Sequence, residues 1–173
     1  SNGWWKITTM KGRAATAKYT FTDTQILDAG TKWDVMSIWE DPIMVKHAEI
    51  VTKNGGDILE FGFGMGISAT HIQSHDINSH TIIEINDDVY ERLLVWAEDK
   101  PNVIPIKGDW ADSIPTDKQY DAVFYDPYGD MKNKKGFPWL IAPYCKEGTI
   151  LSWYNNLYRQ VLFIHQDIEK CII

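Results

Sequence analysis

Acidic side chains and glycines at regular spacing are the residues of this sequence that could do chemistry. Glu60 is followed by a glycine at every second position, Gly62, Gly64 and Gly66. Glycine has no Cβ, so this loop can adopt positive φ angles and let a ligand lie directly on its backbone. A dinucleotide site has the spacing G-x-G-x-x-G and binds a pyrophosphate, which the carboxylate of Glu60 would repel. The pattern favours a nucleoside ligand; a structural glutamate in a glycine-rich turn is the alternative.

Three more carboxylates follow β-prone runs, where strands are expected to end. In an open α/β sheet, ligands bind beyond the carboxyl ends of the strands. Glu84 comes about 20 positions after Gly62, the spacing at which an acid accepts hydrogen bonds from ribose hydroxyls. Asp109 with Trp110 could bind an adenine amino group and stack on its ring, and Asp126 ends the next expected strand. Unless they are solvated acids, these side chains should converge with the glycines on one crevice.

An alternation of apolar, strand-like runs with amphipathic stretches places these residues on an α/β framework. The runs expected as strands are bounded by glycine, proline or other turn residues. They are Asp57–Phe61, His80–Ile85, Val103–Ile106, Tyr120–Tyr125 and Gly148–Tyr154. Pro105 cannot donate to a ladder, so the third run is expected at a sheet edge. Residues 1–18 are expected to form a flexible arm, and residues 19–173 a single domain.

The helix that precedes the first strand has a defined start. Asp41 can cap free N–H groups, and Pro42 suits the first helical position because it lacks an N–H. Glu40 comes just before this start, where the helix dipole favours an ionised carboxylate. The other expected helices run from Ile67 to about Ser74 and from Asn86 to Pro101. His71 and His75 belong to the first of these, and we expect them to be solvated or to cap it.

Composition excludes several classes of protein. The 173 residues suit one domain, and 44% hydrophobic residues with a net charge of −7 argue against disorder and against a broad phosphate-binding surface. No stretch approaches the roughly 18 apolar residues of a membrane helix, and no signal-peptide core is visible. We therefore expect a cytoplasmic protein without membrane partners that acts on a small cationic substrate. Cys145 and Cys171 have no metal-like spacing, so neither a zinc site nor a disulfide framework is expected.

Several of these motifs resemble known families. The run Glu60-x-Gly62-x-Gly64-x-Gly66 resembles motif I of class I S-adenosylmethionine (SAM) methyltransferases. Longer strings are similar, in the same order, to the guanidinoacetate N-methyltransferase family and more distantly to arginine δ-N-methyltransferases. They are Val35–Pro42, Ile58–Gln73, Ile82–Asp87, Ile104–Trp110 and Phe124–Asp126. The resemblance implies SAM as the cofactor and a Rossmann-like three-layer α-β-α methyltransferase fold with a mostly parallel central sheet.

The resemblance also implies roles for individual residues. Glu40 and Asp126 would hold the guanidinium of the substrate. A protonated guanidinium, with a pKa of about 13.8, is a poor nucleophile, so two carboxylates should orient it and one should accept a proton. We expect Asp126 to be the base and Glu40 the orienting clamp. The residues expected to bind the cofactor are Met36, Trp39, Glu60, Gly62, Phe63, Gly64, Gly66, Glu84, Ile85, Asp109, Trp110 and Asp126.

Two alternatives to a small-molecule N-methyltransferase stay open. The run Asp126-Pro127-Tyr128 is similar to the D-P-P-Y motif of DNA amino-methyltransferases with one proline missing, which would mean a flipped base as the substrate. The acidic charge counts against nucleic acid as a partner. The chain ends soon after the fifth expected strand, so we expect a C-terminally shortened fold, and a SAM-binding domain without catalysis is the second alternative. Self-association and the identity of the acceptor are left open.

Overall fold

The computed structural model describes residues 15–32, 34–127 and 137–153, in which strands and helices alternate. The strands are β1 (Tyr19–Phe21), β2 (Gln25–Asp28), β3 (Asp34–Ser37), β4 (Asp57–Phe61), β5 (Ser79–Glu84), β6 (Val103–Lys107), β7 (Tyr120–Tyr125) and β8 (Cys145–Trp153). The helices are α1 (Asp41–Val51), α2 (Ile67–Gln73), α3 (Asp87–Ala97), α4 (Trp110–Ser113) and α5 (Phe137–Ile141), with 3-10 turns at Ile38–Glu40 and Ala142–Tyr144. Most of the expected arm, Tyr128 and the segment after Trp153 lie outside the described residues.

Five parallel strands form the central sheet, in the order β6-β5-β4-β7-β8. All five expected strands are confirmed, although β8 begins earlier than predicted, at Cys145. β6 lies at one edge, as Pro105 predicts. The winding reverses beside β4, because β5 and β6 are added on one side of it and β7 and β8 on the other. A sheet of this kind binds its ligand at that reversal, beyond the carboxyl ends of the strands.

Helices cover both faces of this sheet and complete the predicted three-layer α-β-α fold. Successive residues of a strand point to opposite faces. Ile58 of β4 therefore packs with Met44, Ala48 and Val51 of α1, whereas Phe61 packs in the cluster that includes α4 and α5 on the other face. These three residues of α1 are buried and form one apolar face of the helix toward the sheet. With both faces covered, the carboxyl edge of the sheet is the place for a ligand.

The start of α1 differs in detail from the prediction. Asp41 is the first residue of the helix rather than its cap, and Glu40 occupies the cap position. The reason is the preceding 3-10 turn, which begins after Ser37 and already turns the chain. Asp41 pairs instead with His71 of α2, with 2.7 Å between Oδ1 and Nε2. His71 thus joins two helices and is not simply solvated, whereas His75 is exposed as expected.

A three-stranded antiparallel sheet, β1-β2-β3, precedes α1 and was not predicted. Its strands are short, and the turn residues at Asp28–Gly30 interrupt the sequence pattern that would indicate them. The sheet is attached to α3, because the guanidinium of Arg92 lies 3.7 Å from the centroid of the Phe21 ring. Just before β1, Lys18 pairs with Asp88 at 3.1 Å. The described end of the predicted arm therefore packs against the body of the domain.

A buried polar network connects β4, β5 and α2. The carboxylate of Glu60 is fully buried; it accepts a hydrogen bond from the Ser68 hydroxyl and lies 2.7 Å from Nε2 of His80. Nδ1 of His80 lies 3.3 Å from the side-chain nitrogen of Gln73. Ser68 and Gln73 lie near opposite ends of α2, so the network fixes the whole helix against the sheet. Because α2 begins at the glycine loop, the network also supports that loop.

Glu60 and His80 should not contribute independently to the free energy of unfolding. Glu60→Leu leaves the imidazole of His80 without its acceptor, and His80→Leu deprives a buried carboxylate of a donor. We expect each variant to lose about 3 kcal/mol of unfolding free energy, and the double variant to lose less than the sum by about 1 kcal/mol or more. Urea unfolding of the parent and the three variants measures this coupling. Losses that simply add would contradict it.

Candidate functional site

The loop after β4 holds three glycines in the left-handed region of backbone space. Gly62, Gly64 and Gly66 have φ angles of 85°, 56° and 75°, which residues with a side chain rarely adopt. Space is restricted as well, because a Cβ on Gly62 would lie 2.9 Å from the carbonyl oxygen of Asp126. Gly66 is the cap residue of α2. The predicted order of strand, glycine loop and helix is confirmed, and the loop lies against the end of β7.

Met36 brings the antiparallel sheet into contact with the glycine loop. Its sulfur accepts a hydrogen bond from the N–H of Met65, with an N to S distance of 3.2 Å. It would also overlap a Cβ added to Gly64. Met36 is buried, whereas Trp39, in the 3-10 turn after β3, is 63% exposed. Of these two expected cofactor contacts, Met36 therefore touches the loop directly and Trp39 presents its side chain to solvent.

Glu84 ends β5, as predicted, and its carboxylate is buried beside the loop. One oxygen accepts the N–H of Phe63 at 2.9 Å, and the other accepts the N–H of Asn86 at 2.7 Å. Burial raises the pKa of Glu84 above its ordinary value, while these backbone donors and the charge of Lys107 oppose the rise. A carboxylate offers about four lone pairs. Glu84 can therefore accept further hydrogen bonds from a ligand hydroxyl.

Asp109 and Trp110 follow β6 but have different surroundings. Asp109 caps α4, because its carboxylate accepts the N–H of Ala111 at 3.0 Å. Trp110 is 5% exposed, and its ring centroid lies 5.1 Å from that of Phe61 and 5.4 Å from that of Tyr125. The tryptophan belongs mainly to the hydrophobic core, so little of its ring is left for an adenine to stack on.

Asp126 is the first residue after β7 and joins the tips of β7 and β4. Its N–H donates to the carbonyl of Phe61 at 3.1 Å, and its own carbonyl faces Gly62. The residue is partly exposed. Asp126 therefore lies at the reversal of the winding, next to the glycine loop, as the sequence predicts.

Glu40 lies at the same edge of the sheet because of the direction of α1. The helix runs antiparallel to the strands, since the short connection at residues 52–56 leads from its end to the start of β4. Midway along α1, Nδ1 of His47 lies 2.7 Å from the Ser152 hydroxyl of β8, and its ring packs on Phe124 of β7. Glu40 lies roughly 10 Å further along the helix axis, toward the carboxyl ends of the strands.

The expected site residues therefore divide into two groups. One group lies toward the carboxyl edge of the sheet, and several of its members belong to the glycine loop or contact it. It comprises Met36, Trp39, Glu40, Gly62, Phe63, Gly64, Gly66, Glu84, Ile85, Asp109 and Asp126. Glu60 and Trp110 form the other group, because their side chains are buried among protein groups on the two faces of the sheet. Sequence reasoning missed the roles of His80 and Lys107. All six residues of β5 are buried, so no alternation distinguishes His80, and no sequence signal marks Lys107.

The described ranges contain neither a metal-binding cluster nor a membrane-spanning helix. Within residues 15–32, 34–127 and 137–153, no three His, Cys, Asp or Glu side chains are grouped so that they could hold a metal ion. Cys145 is buried, and burial raises the pKa of its thiol to about 11, so this thiol stays protonated at neutral pH. In the same ranges no helix has the length and apolar character needed to cross a membrane.

Known proteins resemble this chain in sequence. The family model for guanidinoacetate N-methyltransferase matches residues 7–137. Protein arginine N-methyltransferase 2 of Yarrowia lipolytica is 34% identical over 126 residues, which cover 65% of this chain and 26% of that protein. The protein of the same name from Candida glabrata is 32% identical over 124 residues, which cover 65% of this chain and 30% of that protein. The chain thus spans less than a third of the length of these relatives.

A solved structure shows the same architecture. A SAM-dependent methyltransferase from Thiobacillus denitrificans, in complex with S-adenosyl-L-homocysteine, matches with a TM-score of 0.51 and 20% identity, over 67% of this chain and 47% of that chain. At this identity the likeness concerns the fold, which is the Rossmann-like fold of class I methyltransferases. Since the family model also matches more than half of the sequence, the chain belongs to the guanidinoacetate N-methyltransferase family.

Proposed function

We propose that this chain is a SAM-dependent N-methyltransferase domain whose acceptor is a guanidino or amino nitrogen. The observation that carries the proposal is the meeting of three features where the winding reverses: the left-handed glycine loop, the buried carboxylate of Glu84 and the end of β7 at Asp126. SAM supplies a methyl group on a positively charged sulfur that is already activated for transfer. The residues of the chain then have to bind the cofactor, orient the acceptor nitrogen and remove a proton from it.

The donor set around the loop fits this cofactor. The left-handed glycine loop lies next to the carboxylate of Glu84, which can accept hydrogen bonds from ribose hydroxyls. Met36 adds a polarizable sulfur beside the loop. The Thiobacillus denitrificans methyltransferase, which shares the fold, holds S-adenosyl-L-homocysteine. These points support SAM as the cofactor, with Asp109 at the adjacent strand end as the proposed partner of the adenine amino group.

Glu40 and Asp126 are proposed to bind the acceptor. A guanidinium carries five N–H donors in a plane, and two carboxylates can accept them from different sides. Forming a bond between nitrogen and the methyl carbon breaks the bond from sulfur to that carbon and releases one proton from the nitrogen. We assign Asp126 as the base that accepts this proton and Glu40 as the orienting clamp. The name of the relatives, protein arginine N-methyltransferase 2, supports a guanidino acceptor.

Asp126 followed by Pro127 also fits an enzyme that methylates an amino group of a nucleic acid base. Such an enzyme flips the base into its pocket. The net charge of −7 and the second carboxylate, Glu40, favour a cationic acceptor instead. Salt-sensitive retention on DNA would support the nucleic acid, whereas SAM binding without methylation of any guanidino compound would indicate a domain that does not catalyse.

Replacing Glu84 tests the cofactor site. Glu84→Gln has one acceptor oxygen instead of two, so it cannot satisfy the N–H groups of Phe63 and Asn86 and a ribose together. We expect calorimetry to show a Kd for SAM about 10- to 100-fold higher than that of the parent. Asp88→Asn, which loses an exposed pair with Lys18, is the matched control and should change the Kd less than about 2-fold. Equal effects of the two substitutions on the Kd would show that Glu84 does not contact SAM.

Replacing Asp126 separates cofactor binding from catalysis. We expect Asp126→Asn to bind SAM like the parent and to lose at least about 100-fold in turnover, as removal of a general base requires. Transfer of a labelled methyl group to guanidinoacetate, arginine, agmatine and an arginine-containing peptide measures the turnover. Asp112→Asn, at an exposed position of α4, is the control and should leave turnover unchanged. Turnover by Asp126→Asn equal to that of the parent would exclude this aspartate as the base.

Glu40→Gln should behave differently from Asp126→Asn. A neutral amide at this position still occupies the space but attracts the guanidinium less. The substitution should therefore weaken the binding and orientation of the acceptor more than the transfer of its proton. We expect the KM for the acceptor to rise about 10-fold or more while the Kd for SAM stays unchanged. The same methyl-transfer assay, with the acceptor concentration varied, gives this KM, and calorimetry gives the Kd for SAM. A variant with the KM of the parent would show that Glu40 does not contact the acceptor.

A further inference from the structure

Lys107 contacts the loop between β5 and α3. It is the last residue of β6 and pairs in register with Glu84 of β5. Its Nζ donates to the carbonyl of Ile85 at 2.7 Å and lies 2.7 Å from Oδ1 of Asp87. The N–H of Gly108 adds a backbone bond to the carbonyl of Glu84 at 3.0 Å. The end of β6 thus binds this loop at three residues, Glu84, Ile85 and Asp87.

This loop supplies two of the three backbone donors to the Glu84 carboxylate, the N–H groups of Ile85 and Asn86. The N–H of Asn86 donates to one oxygen of Glu84, and the other oxygen is bound by the glycine loop through Phe63. Asn86 is itself fixed, since its side chain caps α3 by accepting the N–H groups of Asp88 and Val89. A shift of the loop would therefore turn the carboxylate away from the glycines. The bond from Lys107 to the Ile85 carbonyl opposes such a shift.

The positive charge of Lys107 also acts on the carboxylate of Glu84. Burial raises the pKa of Glu84, and the charge of Lys107 opposes that rise. Asp87 and Asp88, at the start of α3, add negative charge nearby, and Lys18 pairs with Asp88 from the other side. The hydrogen bond from Lys107 also lowers the pKa of Asp87. Lys107 therefore favours the ionised form of Glu84, which accepts hydrogen bonds with both oxygens.

We propose that Lys107 is a positioning residue for the cofactor, which holds the loop from Glu84 to Asp87 in the arrangement that binds the ribose. The role rests on the proposed function, because it takes SAM as the ligand of Glu84. Lys107 acts on the cofactor side of the site. The acceptor carboxylates belong to the other side of β4, where α1 and β7 lie, so the residue should affect binding of SAM and leave the chemical step unchanged.

Lys107→Met tests this role, because it keeps most of the side chain's length and removes both polar contacts. We expect the Kd of SAM and of S-adenosylhomocysteine to rise about 10-fold. The KM for SAM should rise by the same factor, with kcat and the KM for the acceptor unchanged. Lys107→Arg can still donate to the carbonyl and pair with Asp87, and should bind SAM within about 3-fold of the parent.

Lys18→Met is the matched control. It removes the ion pair to Asp88 in the same turn of α3 and leaves the contacts of Lys107 in place, so we expect less than about a 2-fold change in the Kd of SAM. The pH profile separates a positioning role from a merely structural one. Binding needs ionised Glu84, and as the pH is lowered Lys107→Met should lose affinity at a higher pH than the parent.

Amide hydrogen exchange of the unliganded protein gives a readout that does not need SAM. We expect faster exchange at residues 86–89 in Lys107→Met than in the parent. Unchanged affinity for SAM in this variant, with or without faster exchange, would overturn the proposed role and leave the proposed function intact. A parent chain that does not bind SAM would contradict the proposed function itself, and the cofactor role of Lys107 would fall with it.

Discussion

The backbone of Gly62 lies directly against the carbonyl of Asp126, and the rest of the site depends on that contact. A Cβ added at Gly62 would lie 2.9 Å from this oxygen, so the position has no room for a side chain. The close approach lets the tips of β4 and β7 meet where the winding of the sheet reverses. A glycine loop on one strand and a carboxylate on the next thereby become parts of one crevice.

The carboxylates proposed for this crevice differ in how they are held. Glu84 is buried and is supported by backbone donors and by the charge of Lys107. Glu40 lies at a helix start, where its carboxylate accepts the N–H of Ser37 at 3.2 Å, and Asp126 is partly exposed. A site formed by these proposed carboxylates would attract positive charge and repel phosphate. That preference agrees with the proposed pair of ligands, a sulfonium cofactor and a guanidinium acceptor. Recognition of both ligands would then follow from one electrostatic property of the crevice.

Local patterns account for what could be predicted from the sequence. The central strands were found because glycines and prolines bound them, and Pro105 placed β6 at the edge. The antiparallel sheet was missed because its three- and four-residue strands carry almost no periodicity, and its attachment depends on a distant contact between Phe21 and Arg92. Glu60 was expected at the ligand because of its spacing from the glycines. Its pairing with His80 depends on which face of β4 it occupies, and spacing alone does not reveal that.

The central claim is that a nucleoside lies along the glycine loop while Glu40 and Asp126 together hold the acceptor. A crystal structure of the chain with S-adenosylhomocysteine and guanidinoacetate tests it most directly. We predict ribose hydroxyls within hydrogen-bond distance of Glu84, and guanidinium nitrogens within the same distance of both Glu40 and Asp126. A nucleoside bound away from Gly62–Gly66, or a guanidinium that contacts neither carboxylate, would contradict the claim.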